Sequence, residues 1–210
     1  PSLEIYLDNA ATTKPCPQAV SAVMEALTDN WGNPSAVHQL GLRAEKAVKH
    51  AREQVAHAMG CNPEQLFFTS GGTEGDNFAV FSVAQQYHKR GRHIITTAVE
   101  HHAILHPIGA LEAQGFEVTY LRPGEDGTIS PAQLSAALRK DTILVSIMMV
   151  NNETGAKTDV ARLSRLVRAL APDAMLHVDG VQGFLREEID FRLIDMYTLS
   201  GHKIHAPKGV

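Results

Sequence analysis

Cysteine is scarce in this sequence, and a long apolar stretch is missing. The 210 residues include two cysteines, Cys16 and Cys61, too few for the disulfide framework of a small secreted protein. The longest apolar run, residues 143–150, contains Ser146 and is far too short to span a bilayer. The first residues contain no basic segment followed by an apolar one, so a secretory signal is not predicted. These absences predict a protein of the reducing cytoplasm with no membrane partner.

A strong excess of charge of either sign is also missing. The sequence has 19 Lys and Arg against 23 Asp and Glu, which gives a formal net charge of −4. A nucleic-acid-binding surface needs a clear basic excess, so we expect no nucleic-acid partner. Hydrophobic residues at 44% and charged residues at 20% are ordinary for a globular chain. A chain of this length can bury a sizeable core.

Apolar, β-rich segments alternate with segments of helical periodicity. Strands are predicted at residues 3–7, 66–69, 93–97, 117–121, 142–150, 175–178 and 194–199. Helices are predicted at residues 17–30, from Ala44 to a stop at Gly60, at 131–138 and at 160–170. This alternation predicts an α/β fold with a mostly parallel sheet flanked by helices. We expect an N-terminal arm and helix over residues 1–30, followed by one large domain over residues 31–210.

The segment "FFTSGGTEGDN", residues 67–77, has the composition of a phosphate-binding turn. An apolar strand would lead into two glycines, and a helix would begin at Thr73 as N-cap, with Asp76 completing a variant capping box. Glycines let the backbone approach a ligand, and the first N–H groups of a helix attract an anion. The Lys-Ser/Thr ending of a Walker A loop is absent, and a plain tight turn is the alternative.

Histidines follow the next predicted strand in "VEHHAIL", residues 99–105. His101 lies at the predicted strand end, which makes it the better candidate for a ligand site. His102 and His106 have the i, i+4 spacing of two metal ligands on a helix. No third ligand is apparent, so we expect no metal site and interpret this pair as exposed helix residues.

Polar residues also follow two later strands, in "MMVNNETG" and "HVDGVQG". Ligands in open α/β sheets bind outside the carboxyl ends of the strands, although a simple polar turn is the alternative for Asn152. Asp179 comes directly after a buried strand, and a buried carboxylate needs a partner. Gln182 lies one turn further on, and Lys203 follows in "SGHK".

These parts together are those that a pyridoxal 5′-phosphate (PLP) site requires. A lysine amine bonds covalently to the cofactor's aldehyde and must be neutral to do so, although free lysine has a pKa of about 10.4. An aspartate beside the pyridine nitrogen keeps the ring protonated, so that it can accept electrons. Lys203 and Asp179 fit these two roles.

The motifs "YLDNAATT", "NPSAVHQLG", "FTSGGTEGDN", "VEHHAIL", "MMVNNETG", "HVDGVQG" and "SGHKIHAPKGV" resemble, in this order, those of cysteine desulfurases of the class V aminotransferase family. The resemblance implies a PLP enzyme with Lys203 as the covalent lysine, Asp179 at the pyridine nitrogen, and His101 stacking on the ring and assisting proton transfer. It implies that the phosphate is held by Gly72, Thr73, Ser200 and His202. It places Asn152 and Gln182 at the phenolic oxygen and the substrate side.

The resemblance also implies the activity. Such enzymes remove sulfur from L-cysteine, leaving alanine and an enzyme persulfide for a protein sulfur acceptor in iron–sulfur cluster or thio-cofactor supply, and they are homodimers. The sequence has "GGTEGDN" where "GATESNN" is usual. Family members continue past the lysine into a small C-terminal domain that carries the persulfide cysteine, whose position Cys16 and Cys61 do not match. We therefore expect a large domain truncated before that region. The alternatives are a selenocysteine or cystine lyase, or a non-catalytic subunit that needs a second chain.

Overall fold

A computed structural model describes residues 5–210 and contains a sheet of five parallel strands. The strands are β1 (His93–Thr97), β2 (Glu117–Leu121), β3 (Thr142–Met148), β4 (Met175–Asp179) and β5 (Met196–Thr198). Their order across the sheet is β2-β1-β3-β4-β5, and every neighbouring pair is parallel. The predicted α/β class with a parallel sheet flanked by helices is confirmed.

Six α-helices accompany the sheet in the described part of the chain. They are α1 (Pro17–Thr28), α2 (Gln39–Met59), α3 (Gly72–Tyr87), α4 (His102–Ala113), α5 (Pro131–Ala137) and α6 (Val160–Leu170). Local chemistry sets several ends, as the sequence predicts. The side chain of Asp159 accepts a hydrogen bond from the Arg162 backbone N–H at 2.9 Å and caps α6. Gly60 ends α2 in the left-handed conformation, with φ of 65°.

The core lies on both faces of the sheet, because successive strand residues point in opposite directions. Ile94 packs with residues of α3 and α4 on one face, and the adjacent Ile95 packs with residues of α5 and α6 on the other. Both isoleucines are fully buried. Helices on both faces explain why the strands are continuous apolar runs rather than alternating ones.

The carboxyl ends of three neighbouring strands lie level with one another. Met148 of β3 is in register with Asp179 of β4, and Asp179 is in register with Thr198 of β5. The loops after these strands therefore meet at one edge of the sheet. This is the edge at which open α/β sheets bind ligands.

Two predictions about the N-terminal third are wrong. Residues 66–69 do not form a strand, because no strand within residues 5–210 pairs with them. The side chains of Phe67 and Phe68 are exposed. Residues 5–7 also form no strand, and residues 3 and 4 of that predicted strand lie outside the described residues. None of the helices described is both long and apolar enough to cross a membrane.

The N-cap of α3 is also not the one predicted. Gly71 occupies this position with φ of 139°, and the helix begins at Gly72 instead of after Thr73. No capping box forms at this end of α3, because glycine has no side chain to accept from the first turn; instead the Glu74 carboxylate accepts a hydrogen bond from the backbone N–H of Ser70, the residue before the N-cap, at 2.5 Å. A turn at positive φ favours glycine, so the sharp bend precedes Thr73 by two residues.

Candidate functional site

A cavity of about 500 Å³ opens at the carboxyl edge of the sheet. This volume lies within the range of small-molecule and cofactor sites. Every residue that the sequence predicts for the site lines it, namely Gly72, Thr73, His101, Asn152, Asp179, Gln182, Ser200, His202 and Lys203. Loops after β1, β3, β4 and β5 and the start of α3 deliver these side chains, so the sheet register determines the composition of the cavity.

One end of the cavity is the N-terminus of α3. The first N–H groups of this helix have no intrahelical partner, and Gly71 and Gly72 keep side chains away from them. A Cβ atom added at Gly72 would lie 2.8 Å from Cγ2 of Val181. The Ser200 hydroxyl is buried beside this turn and has no hydrogen-bond partner among the described residues. This end of the cavity is therefore suited to an anion.

Lys203 lies half-buried in a 3₁₀ turn, Gly201–Lys203, that follows β5. Its Nζ donates hydrogen bonds to the backbone oxygens of Ala10 at 2.6 Å and Ala11 at 2.8 Å. Burial lowers the pKa of Lys203, while the carboxylates of Asp8 and Asp179 oppose the shift. A lowered pKa makes the neutral, nucleophilic amine more accessible near neutral pH.

Asp179 is the last residue of β4 and is 5% exposed. One carboxylate oxygen, Oδ1, accepts a hydrogen bond from the Val181 backbone N–H at 3.0 Å. No other protein donor is bonded to this carboxylate within residues 5–210, so Oδ2 is left for a ligand in the cavity. Burial raises the pKa of Asp179, and the positive potential of His101 and Lys203 acts against this shift.

Two further carboxyl groups lie behind this edge of the sheet. Asp76 on α3 also lines the cavity and is 1% exposed, and its Oδ1 has no hydrogen-bond partner in the described part of the chain. Glu100 accepts hydrogen bonds through Oε1 from the Thr97 hydroxyl and the Met148 backbone N–H, both at 2.8 Å. Burial raises the pKa of Glu100 to about 8. The sequence reading did not assign either residue to the site.

The N-terminal arm also contributes, which the sequence reading did not predict. Ala10 and Ala11 bind Lys203, and the Gln182 side-chain amide donates to the oxygen of Ala10 at 2.8 Å. The backbone N–H of Thr13 donates to the oxygen of His202 at 2.8 Å. The motif "YLDNAATT" contains the arm residues that line the cavity beside the lysine, so its resemblance to the family motif was the sequence feature that could have predicted this contribution.

The histidines after β1 have separate positions. His101 is the N-cap of α4, and its Nδ1 accepts a hydrogen bond from the Ala103 backbone N–H at 3.1 Å, while its ring lines the cavity. The rings of His102 and His106 stack on each other with centroids 5.1 Å apart. Neither of these two histidines lines the cavity. Within residues 5–210 no group of three potential metal ligands lies close enough to hold an ion.

Comparison with known proteins gives the family. The sequence model described as "Aminotransferase class-V" matches residues 5–210. The chain is 46% identical to the cysteine desulfurase IscS of Stutzerimonas stutzeri (strain A1501) over 213 aligned residues. It is 47% identical to the cysteine desulfurase IscS of Ectopseudomonas mendocina (strain ymp). The chain belongs to the class V aminotransferase family.

Solved structures agree with this assignment. A NifS-like protein superposes with a TM-score of 0.96 at 35% identity, over 99% of this chain and 57% of its own. DndA from Streptomyces lividans superposes with a TM-score of 0.84 at 44% identity, over 98% of this chain and 57% of its own. The chain covers 99% of its own length but 52% of the Stutzerimonas stutzeri protein, about half of that relative.

The enzymes of this family use PLP, and the cavity fits that cofactor. Its anionic tail matches the α3 N-terminus and the unpartnered Ser200 hydroxyl. Its protonated ring nitrogen matches the open oxygen of Asp179, and its aldehyde matches the amine of Lys203. A buried hydroxyl without a partner and a buried carboxylate with one open oxygen are costly, and this cofactor would satisfy both.

Proposed function

We propose that this chain forms the PLP-binding part of a cysteine desulfurase. The observation that carries the proposal is the single cavity shared by Lys203, Asp179 and the phosphate-binding end at Gly72 and Ser200. These groups match the aldehyde, the ring nitrogen and the phosphate of one cofactor molecule. The 46% identity to a cysteine desulfurase supports the choice among PLP reactions.

Lys203 performs two tasks in this proposal. Its amine would hold the cofactor through the aldehyde, and, when free, would accept the proton from the substrate Cα. Both tasks need a neutral amine, which the lowered pKa of Lys203 favours. The cofactor supplies an electron sink for the electron pair left on Cα, and Asp179 maintains that sink by holding a proton on the ring nitrogen.

The remaining cavity residues orient the cofactor and the substrate. Four of them would hold the phosphate through backbone N–H groups, a hydroxyl and an imidazole, namely Gly72, Thr73, Ser200 and His202. His101 would lie against the ring and move protons. Gln182 uses one amide N–H on Ala10, which leaves a second N–H for the phenolic oxygen, with Asn152 on the same side.

L-cysteine is the proposed substrate, and a related structure, SspA in complex with cysteine, supports this choice at a TM-score of 0.92 and 36% identity. Neither Cys16 nor Cys61 lines the cavity, so we assign the sulfur-accepting thiol to neither of them. We also propose a cytoplasmic homodimer that passes its sulfur to an acceptor protein. Light scattering of the purified protein tests the dimer, since a monomeric mass would contradict it.

The experiment for cofactor binding is a visible absorbance titration with PLP. The unmutated protein should develop the yellow band of lysine-bound PLP, and Lys203→Ala should not. Lys49→Ala, which changes an exposed lysine on α2, is the matched control and should keep the band. A band of equal intensity in Lys203→Ala, or none in the folded unmutated protein, would contradict the proposal. Product analysis with cysteine and selenocysteine then separates a desulfurase from a lyase.

A further inference from the structure

The pocket proposed for PLP contains one more carboxyl group than its assigned roles use. Asp179 has a place at the ring nitrogen, whereas Asp76 lines the same cavity with no assigned partner. Its side chain is almost fully buried, and its Oδ1 bonds to no donor among the described residues.

Among residues 5–210, no charged lysine or arginine pairs with Asp76, and His177 is the one basic side chain within 4.0 Å of its carboxylate. Nε2 of His177 is 3.6 Å from Oδ1 of Asp76, longer than a normal hydrogen bond. Both ring nitrogens of His177 are already engaged, with the hydroxyls of Ser146 and Thr198, each at 2.9 Å. Burial lowers the pKa of His177 to about 4, so this ring is neutral at pH 7. The ammonium of Lys203 donates to Ala10 and Ala11 instead.

The charged and titratable groups around Asp76 come from each neighbouring element. They are His177 and Asp179 on β4, Glu100 and His101 after β1, His202 and Lys203 after β5, Asp8 on the arm, and Glu74 on α3 itself. Three carboxyl groups of this set, those of Asp76, Glu100 and Asp179, are at most 5% exposed. Burial and the Asp179 and Glu100 carboxyls raise the pKa of Asp76, while the Thr198 hydroxyl opposes the shift. Like charges in a buried site cannot all ionise together.

We propose that Asp76 is a positioning residue that keeps a proton in the cavity it shares with Asp179, so that Asp179, and not Asp76, is the charged carboxylate at the ring nitrogen at neutral pH. When Asp76 loses this proton at higher pH, a second negative charge strengthens the attraction for a protonated pyridine ring. This inference rests on the proposed PLP function for its cofactor step, but the bound proton is a property of the PLP-free protein.

The first test uses the protein without PLP. Between the ordinary aspartate pKa of about 3.9 and the raised pKa of Asp76 of about 9, the folded protein holds a proton on Asp76 that the unfolded chain has released. The stability of the unmutated protein therefore falls as the pH rises through this window. Asp76→Asn removes this dependence. The folded-to-unfolded ratio of Asp76→Asn relative to the unmutated protein should therefore rise about tenfold per pH unit between pH 5 and 8. Parallel profiles would overturn the proposal. Asp126→Asn, in an exposed loop, should give a constant ratio over this range.

The second test measures the affinity for PLP by equilibrium dialysis at pH 7 and pH 9. The affinity of the unmutated protein relative to Asp76→Asn should rise about fivefold between these pH values, because a nearby carboxylate attracts the protonated ring. A 1-deaza analogue of PLP, which has carbon in place of the ring nitrogen, should show no such rise. Equal ratios for PLP at both pH values would overturn the link to the cofactor. Absence of PLP binding by the unmutated protein would refute the proposed function instead, and the first test would still decide whether Asp76 holds a proton.

Discussion

Gly180, the residue after Asp179, has no room for a side chain. A Cβ atom at this position would lie 1.8 Å from Cζ, 2.0 Å from Oη and 2.4 Å from Cε1 of Tyr197. Its φ is not in the left-handed region, so the backbone itself would accept alanine. The cost of Gly180→Ala therefore comes from the contact with Tyr197.

The ring of Tyr197 cannot move away without losing other contacts. It packs edge-on against Phe191 with centroids 5.0 Å apart and lies 6.2 Å from Phe184. Overpacking of a core costs about 1–3 kcal/mol, and this contact is close enough to reach the upper end. We expect Gly180→Ala to lower the free energy of unfolding by about 3 kcal/mol. Tyr197→Leu, which removes the ring, should lower it by about 2 kcal/mol.

The double variant separates this explanation from others. With the ring gone the new methyl group meets no atom of Tyr197, so Gly180→Ala with Tyr197→Leu should be about as stable as Tyr197→Leu alone. Urea unfolding of the four proteins, followed by circular dichroism, gives the interaction free energy, expected at about 3 kcal/mol. Additivity to within about 0.5 kcal/mol would refute the reasoning. Gly109→Ala, in open space on α4, is the control and should not destabilise the protein.

Three further predictions concern single side chains. Ser200→Ala should leave the PLP-free protein as stable as before, because the hydroxyl has no partner, but weaken PLP binding by about 10–100-fold in equilibrium dialysis. Unchanged affinity would contradict its role at the phosphate. Since the pKa of Glu100 is raised to about 8, the folded state holds an extra proton between the ordinary value near 4.3 and this one, and stability falls as pH rises through that window. Glu100→Gln should make this slope shallower by one proton's contribution in urea unfolding at pH 5, 7 and 9, while the contribution of Asp76 stays, and an unchanged slope would contradict the assignment. Leu144→Ala, at a fully buried position of β3, should cost about 2–5 kcal/mol in the same assay, and a loss below about 1 kcal/mol would contradict its place in the core.

The strands were predictable where burial on both faces of the sheet produces a continuous run of apolar residues in the sequence. Residues 143–145 of β3 and Ile94 and Ile95 of β1 form apolar runs because helices cover both sides of the sheet. Residues 66–69 have the same kind of sequence but no neighbouring strand to pair with among the residues described. The local sequence pattern indicates whether a segment has the propensity to form a strand. The strand forms only if the tertiary fold places a partner strand beside it.

The lining of the cavity was predictable where its residues follow strands. Lys203 and Asp179 each come after an apolar run, at the edge where α/β sheets bind ligands, and both line the cavity. Glu100 stands in the same motif as His101, but the sequence alone gives no sign that this glutamate is buried. Asp76 lies three residues after Thr73, a spacing that predicts a helix cap and not a cavity residue. Burial of an ionisable group depends on packing between distant segments, which periodicity does not encode.

The arm that precedes α1 shows the same dependence on distant packing, and it bears on how Lys203 acts. Its Nζ donates to the oxygens of Ala10 and Ala11, which are acceptors for an ammonium and would leave the lone pair of a neutral amine unused. The arm thus stabilises the charged form, while burial favours the neutral one. In its proposed role, the amine would have to leave these two carbonyls to bond to an aldehyde. The predicted boundary near residue 30 separates the arm from the large domain in sequence, whereas the hydrogen bonds of Lys203 join the two.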